Sequence, residues 1–109
     1  MTDFARDVIE ASHRQPVLVD FHAPWCGPCR MLGPVLDQAV KQAPGALKLV
    51  KIDTDGESAL AMAQGVSSIP DVRLFHQGQE VARFAGFRPL PQIQKWLAEH
   101  LAVAGSLAP

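Results

Sequence analysis

Val17-Leu18-Val19-Asp20-Phe21-His22-Ala23-Pro24-Trp25-Cys26-Gly27-Pro28-Cys29 is the stretch on which the reading of this chain turns. Its first five residues are apolar and largely β-branched apart from Asp20, the pattern of a strand covered on both faces. Ala23-Pro24-Trp25 reads as a loop, and a helix is expected to open near Gly27 and run to about Gln42. The chain's two cysteines, Cys26 and Cys29, sit three residues apart at this strand-to-helix junction. Two sulfurs so close can close a small ring. A sulfur at a helix start also lies where the helix dipole and unpaired N–H groups favour a thiolate.

Working outward, residues 3 to 12 place Phe4, Val8 and Ile9 on one side of a helical pattern, with Thr2 as its cap, and Pro16 ends that neighbourhood. The helix from Gly27 is expected to bury Met31, Leu32, Val35, Leu36, Ala39 and Val40, with Pro34 inside it predicting a kink. Pro44-Gly45 breaks the chain before a strand at Leu47 to Asp53. A helix at Glu57 to Gln64 follows, with Leu60, Met62 and Ala63 facing inward. Alternation of strand and helix argues a parallel pair joined by a right-handed crossover. Val72 to His76 and Glu80 to Gly86, separated by Gln77-Gly78-Gln79, have hairpin spacing. A last helix at Leu90 to Leu101 carries the apolar stripe Ile93, Trp96, Leu97 and Leu101, and 102–109 reads as a frayed tail. The expectation is an α/β chain forming one domain over 1–109, without repeat or linker.

A length of 109 residues suffices to bury roughly 65% of the unfolded chain's surface. Ten basic residues are scattered among eleven acidic ones, for a net charge of -1 and a pI near 6.4. With no basic stripe, nucleic acid is excluded as an expected partner. No apolar run approaches the ~20 residues of a membrane span. The N-terminus has no cationic stretch leading into an apolar segment, so the expectation is no secretory signal and a reducing, cytoplasmic setting. There a Cys-x-x-Cys reads as catalytic or metal-binding. A zinc site needs about four ligands. No second cysteine pair exists, and His13, His22, His76 and His100 are dispersed, so no metal is expected.

Val-Leu-Val-Asp-Phe at 17–21, Ala-Pro-Trp-Cys-Gly-Pro-Cys-Arg at 23–30, Ile69-Pro70 and the glycine-bearing hairpin together resemble the thioredoxin family, over roughly residues 7 to 101. The resemblance implies a central mixed sheet of four to five strands flanked by helices. It also implies reduction of disulfides in substrate proteins by dithiol-disulfide exchange. Cys26 would attack and Cys29 would resolve the mixed disulfide, leaving a redox-active Cys26-Cys29 disulfide. Electrons would come from NADPH through a flavoenzyme of the thioredoxin-reductase kind, with no cofactor bound by this chain. Pro28 has no N–H to offer the sulfur, so the dithiol form should be less stabilised and more reducing.

Asp20 matches the family's buried carboxylate, which would move protons to and from Cys29, its pKa raised by burial. An aspartate at a strand end meeting water is the plainer reading. Lys51 stands where the family keeps a lysine near that acid, or is a solvated edge residue. Ile69-Pro70 matches the family's cis-proline, whose preceding backbone would pair with an extended substrate segment beside Cys26. Trp25, Gly27, Pro28 and Gly86 would complete the substrate groove, Trp25 as an apolar wall and Gly86 by leaving space for substrate backbone. Trp96 reads as core.

Three departures from the family stand out. His22 replaces a usual tryptophan and either changes charge near the thiolate, lowering its pKa, or merely exposes a ring edge. Asp71 follows the proline where threonine is common, with Arg73 on the same strand face. The two form either a local ion pair, worth little if exposed, or a charged patch selecting partners. The N-terminus lacks the residues of an additional strand, which predicts a four-stranded monomer whose edge is guarded by Lys48 and Lys51. The rival reading is a binding or holdase module in which the dithiol is secondary.

Overall fold

β1 (Val17–His22) is the centre line of the sheet, pairing in parallel with β2 (Lys48–Asp53) and antiparallel with β3 (Asp71–His76). β3 continues through a hairpin into β4 (Gln79–Ala85), so the strand order is β2-β1-β3-β4. The computed structural model describes residues 1–43 and 45–103. Three α-helices complete the order among the described residues: α1 (Gly27–Gln42) after β1, α2 (Ser58–Ala63) after β2, and α3 (Leu90–Val103) after β4. This is the mixed, four-stranded, helix-flanked sheet that the sequence predicts.

Alternation along β1 divides the interior in two. Leu18 joins Leu32, Leu36, Leu74, Ile93 and Trp96 in a core between the sheet and the α1–α3 layer. Val17, Val19 and Phe21 point the other way and pack with Val8, Ile52 and Phe75 under the N-terminal segment. Both faces of β1 are therefore covered, which is why its sequence is apolar almost throughout.

The N-terminal helix is present but wound differently from the α-helix expected: Ala5–Glu10 forms a π-helix and Ala11–His13 a 3₁₀ turn. In α1 the buried positions are Cys29, Leu32, Leu36 and Ala39, the spacing of one helical face, while Met31 is exposed. In α2 Ala61 is buried and Leu60 packs against the core as expected, but Met62 and Ala63 face out, because successive residues turn by about 100° around the helix and these two rotate off the inward face. The hairpin loop is Gln77-Gly78, one residue shorter than expected. Both residues have positive φ, 55° and 81°, as a primed turn matched to strand twist requires. Ser12 holds that turn, its carbonyl accepting from Gln77 N–H at 2.9 Å and its hydroxyl from Gly78 N–H at 2.8 Å. Lys48 lies on the edge strand as expected, but its ammonium donates to the Asp7 carbonyl at 2.7 Å and so ties down the N-terminal segment. α3 runs two residues past its expected end. The rest of the tail expected over 102–109 lies outside the described residues, as does Pro44 of the expected break.

Candidate active site

The reactive end of the molecule is where β1 stops and α1 begins. Cys26 is the N-cap of α1, with extended φ and ψ of -85° and 113°, and its N–H donates to the Ala23 carbonyl at 3.1 Å. A helix start leaves amide N–H groups without partners. Pro28 in the first turn removes one of them, and the Cys29 N–H donates to the Cys26 sulfur at 3.2 Å. Cys26 and Cys29 form a disulfide, each only 5% exposed. The site is thus the oxidised form of a dithiol, its first sulfur at the positive end of a sixteen-residue helix.

Facing the sulfurs is the segment that enters β3. The Ile69–Pro70 peptide bond is cis, and the Ile69 carbonyl oxygen lies 4.0 Å from the Cys26 sulfur. Ala23, Cys26, Cys29 and Ile69 pack as one small cluster. Pro70 is held from the other side, its carbonyl accepting from Gly86 N–H at 2.9 Å. Gly86 has φ of 83° and open space where a side chain would stand, so a polypeptide backbone can approach there. Trp25 is 68% exposed, and its indole N–H donates to the Asp55 carboxylate at 2.7 Å. Trp25, Ser58, Ala61, Met62, Val66 and Ile69 help to line a groove of about 360 Å³. Gly27 and Pro28 are exposed in the first turn of α1.

Asp20 lies in the middle of β1, 2% exposed, with carboxylate oxygen Oδ1 buried and without a hydrogen-bond partner. This removes the reading of a strand-end aspartate meeting water. Burial pushes its pKa from 3.8 up to about 6, against the opposing pull of His22 and Lys51, and the Asp37 carboxylate adds to the rise. Lys51 pairs beside Asp20 in the β1–β2 register and extends to Asp37, 2.9 Å away on α1. It is at once partly solvated and electrostatically coupled to the acid. The His22 backbone carbonyl accepts from the Thr54 N–H and hydroxyl, while its ring makes no hydrogen bond to either sulfur among the described residues.

Asp71 and Arg73 do pair, but not as an exposed patch. Arg73 is buried, and its guanidinium grips both Asp71 oxygens, at 3.0 and 2.9 Å. Sequence reasoning also missed Asp55 as the partner of Trp25. Its one signal is the polar turn Thr54-Asp55-Gly56 after β2, which says nothing about which side chain it meets. No group of three or more His, Cys, Asp or Glu side chains is placed to hold a metal among the described residues. No helix there is long and apolar enough to cross a membrane.

Residues 1–99 match the profile of the thioredoxin family. The chain is 42% identical over 98 residues to Thioredoxin 1 of Nostoc sp. and 43% identical over 98 residues to Thioredoxin 1 of Synechococcus elongatus, in each case across 90% of both chains. Among solved structures, a thioredoxin variant from Halobacterium salinarum superposes with a TM-score of 0.78 at 32% identity, covering 92% of this chain and 86% of that one.

Proposed function

The chain belongs to the thioredoxin family, and from that premise we propose how its dithiol works. It is a dithiol–disulfide oxidoreductase, a disulfide reductase, and the binding-module alternative is not favoured. Cys26, as thiolate, attacks one sulfur of a substrate disulfide. That S–S bond breaks, the departing substrate sulfur takes a proton, and Cys26 is left in a mixed disulfide. Asp20, as carboxylate, accepts the Cys29 proton. The Cys29 thiolate then attacks the Cys26 sulfur and expels the second substrate sulfur, which is protonated in turn. The substrate gains two electrons and two protons, and the enzyme closes Cys26–Cys29.

In this reading Trp25, Gly27, Pro28, Ile69, Pro70 and Gly86 form the surface on which an extended substrate segment lies, with its backbone against Ile69. His22 and Lys51 act on the exchange through the acidity of Asp20. The observation that carries the proposal is the Cys26–Cys29 pair at the start of α1 with the Ile69 carbonyl 4.0 Å from the attacking sulfur.

The electrons come from NADPH through a flavoenzyme reductase, in the cytoplasm, where a monomer of one domain serves electron transport and redox homeostasis. NADPH-driven reduction of insulin disulfides, in the presence of such a reductase, tests the route. Cys26→Ser should abolish turnover, whereas Cys29→Ser should accumulate a covalent adduct with substrate, seen by mass spectrometry. Absence of the adduct would overturn the division of roles.

A further inference from the structure

Arg73 is the largest fully buried side chain of the molecule and takes no part in the exchange steps above. Its Nε and Nη2 donate to the two oxygens of Asp71, while Nη1 donates to the Gln64 carbonyl at 2.7 Å. The guanidinium lies 5.0 Å over the Phe21 ring, and Glu80 approaches to 3.9 Å. Gln64 is the C-cap of α2, and its carbonyl is among those a helix end leaves unpaired. Asp71 immediately follows Pro70. One guanidinium therefore joins the two ends of the stretch 65–70, which carries Ile69 to the Cys26 sulfur.

The rest of that stretch is held at its ends. Gly65, with φ of 69°, closes α2: its N–H donates to the Met62 carbonyl and the Val66 N–H to the Ala61 carbonyl. At the far end the Pro70 carbonyl accepts from Gly86. Between them Ser67 and Ser68 are exposed and make no hydrogen bond among the described residues. An arginine fork is suited to this bridging, because its rigid plane engages a carboxylate with two donors and still offers a third in a different direction.

We propose that Asp71 and Arg73 are a positioning pair for the substrate-docking segment: by clamping both ends of 65–70 they set where the Ile69 carbonyl and Pro70 stand relative to Cys26. This rests on the reading of Ile69 as the backbone that pairs with substrate. The clamp acts on substrates that bring a polypeptide to the groove and not on disulfides that bring only sulfur.

The test uses the double variant Asp71→Thr/Arg73→Leu, which removes both charges and strands neither, and Arg73→Lys, which keeps the charge and loses the fork. With dithiothreitol as reductant, each is assayed on insulin and on bis(2-hydroxyethyl) disulfide, well below its melting temperature. The expected result is a rise of about fivefold or more in KM for insulin in both variants, with less than about a twofold change on the small disulfide. The pH profile of Cys26 alkylation should not move. A parallel loss on both substrates, or an unchanged KM for insulin, overturns the clamp and leaves a merely structural pair. If the parent chain reduces neither disulfide, the oxidoreductase reading fails instead.

Discussion

The Cys29 amide N–H points at the Cys26 sulfur from 3.2 Å, so the backbone of one cysteine of the pair caps the side chain of the other. A serine or aspartate at a helix start accepts the same kind of bond. Here the acceptor is one of the two sulfurs of the redox-active pair, and Pro28 between the two cysteines leaves that sulfur one amide fewer than the first turn could offer.

Replacing Pro28 with a residue that restores an N–H, as in Pro28→His, adds a donor to the thiolate and stabilises the dithiol form. The couple should become more oxidising by tens of millivolts, about 30 mV for each 1.4 kcal/mol of added stabilisation. Equilibration of Cys26–Cys29 with glutathione reads the shift directly. A potential that falls or stays put counts against this account of Pro28.

Asp20 makes stability depend on pH in a stated direction. Its folded-state pKa of about 6 exceeds its ordinary 3.8, so the folded protein keeps a proton that the unfolded chain releases between those values. The resulting stabilisation is complete below 3.8 and is lost as pH rises through about 6, a swing of at most about 3 kcal/mol. Asp20→Asn removes the ionisation, so it should be more stable than the parent at pH 7 by about 2 kcal/mol and nearly equal to it at pH 3.5. Urea denaturation at the two pH values checks this. If Asp20 is the proton acceptor proposed for Cys29, the same variant should resolve the mixed disulfide about a hundredfold more slowly.

Removing Arg73 takes from the Asp71 carboxylate its paired cation, whereas removing Asp71 leaves the buried guanidinium with Glu80 at 3.9 Å and the Gln64 carbonyl. Arg73→Met should cost about 3–5 kcal/mol and Asp71→Val less, whereas the variant that loses both charges should cost less than the sum. Chemical denaturation of the two single variants and the double one gives the coupling. Additive costs would mean that the two charges are not interdependent.

Gly78 meets two constraints at once. Its φ of 81° disfavours any side chain, and a Cβ there would stand 2.8 Å from Nε2 of His13. Gly78→Ala should cost about 1–2 kcal/mol. Adding His13→Ala relieves the clash but not the backbone cost, so part of the loss should return in thermal melts.

The sheet, the helix order and the dithiol were legible because each is written locally. The apolar run of β1 signals a strand covered on both faces, and Cys26 and Cys29 stand at the helix boundary itself. Asp20 was legible as a buried acid through the family likeness, since a single aspartate in an apolar run has two readings until its surroundings are known. Met31 and Met62 were misplaced because each adjoins a residue that is inward, and an apolar pair on a helix does not say which member faces the core. The π winding of Ala5–Glu10 has no sequence signal, as its hydrophobic positions serve an α-helix equally well. Asp71 and Arg73 announced a shared strand face, but not that this face is an interior one, packed by Phe21 and Gln64 from distant parts of the chain.

The buried Asp71–Arg73 pair bears on descent as well as on docking. A lineage changing either residue by itself passes through a form in which one buried ion has lost its two-pronged partner, and such forms are the less stable ones. The two codons should therefore be inherited as a single trait, gained or lost together, and chains that carry threonine after the proline should lack an arginine two positions later.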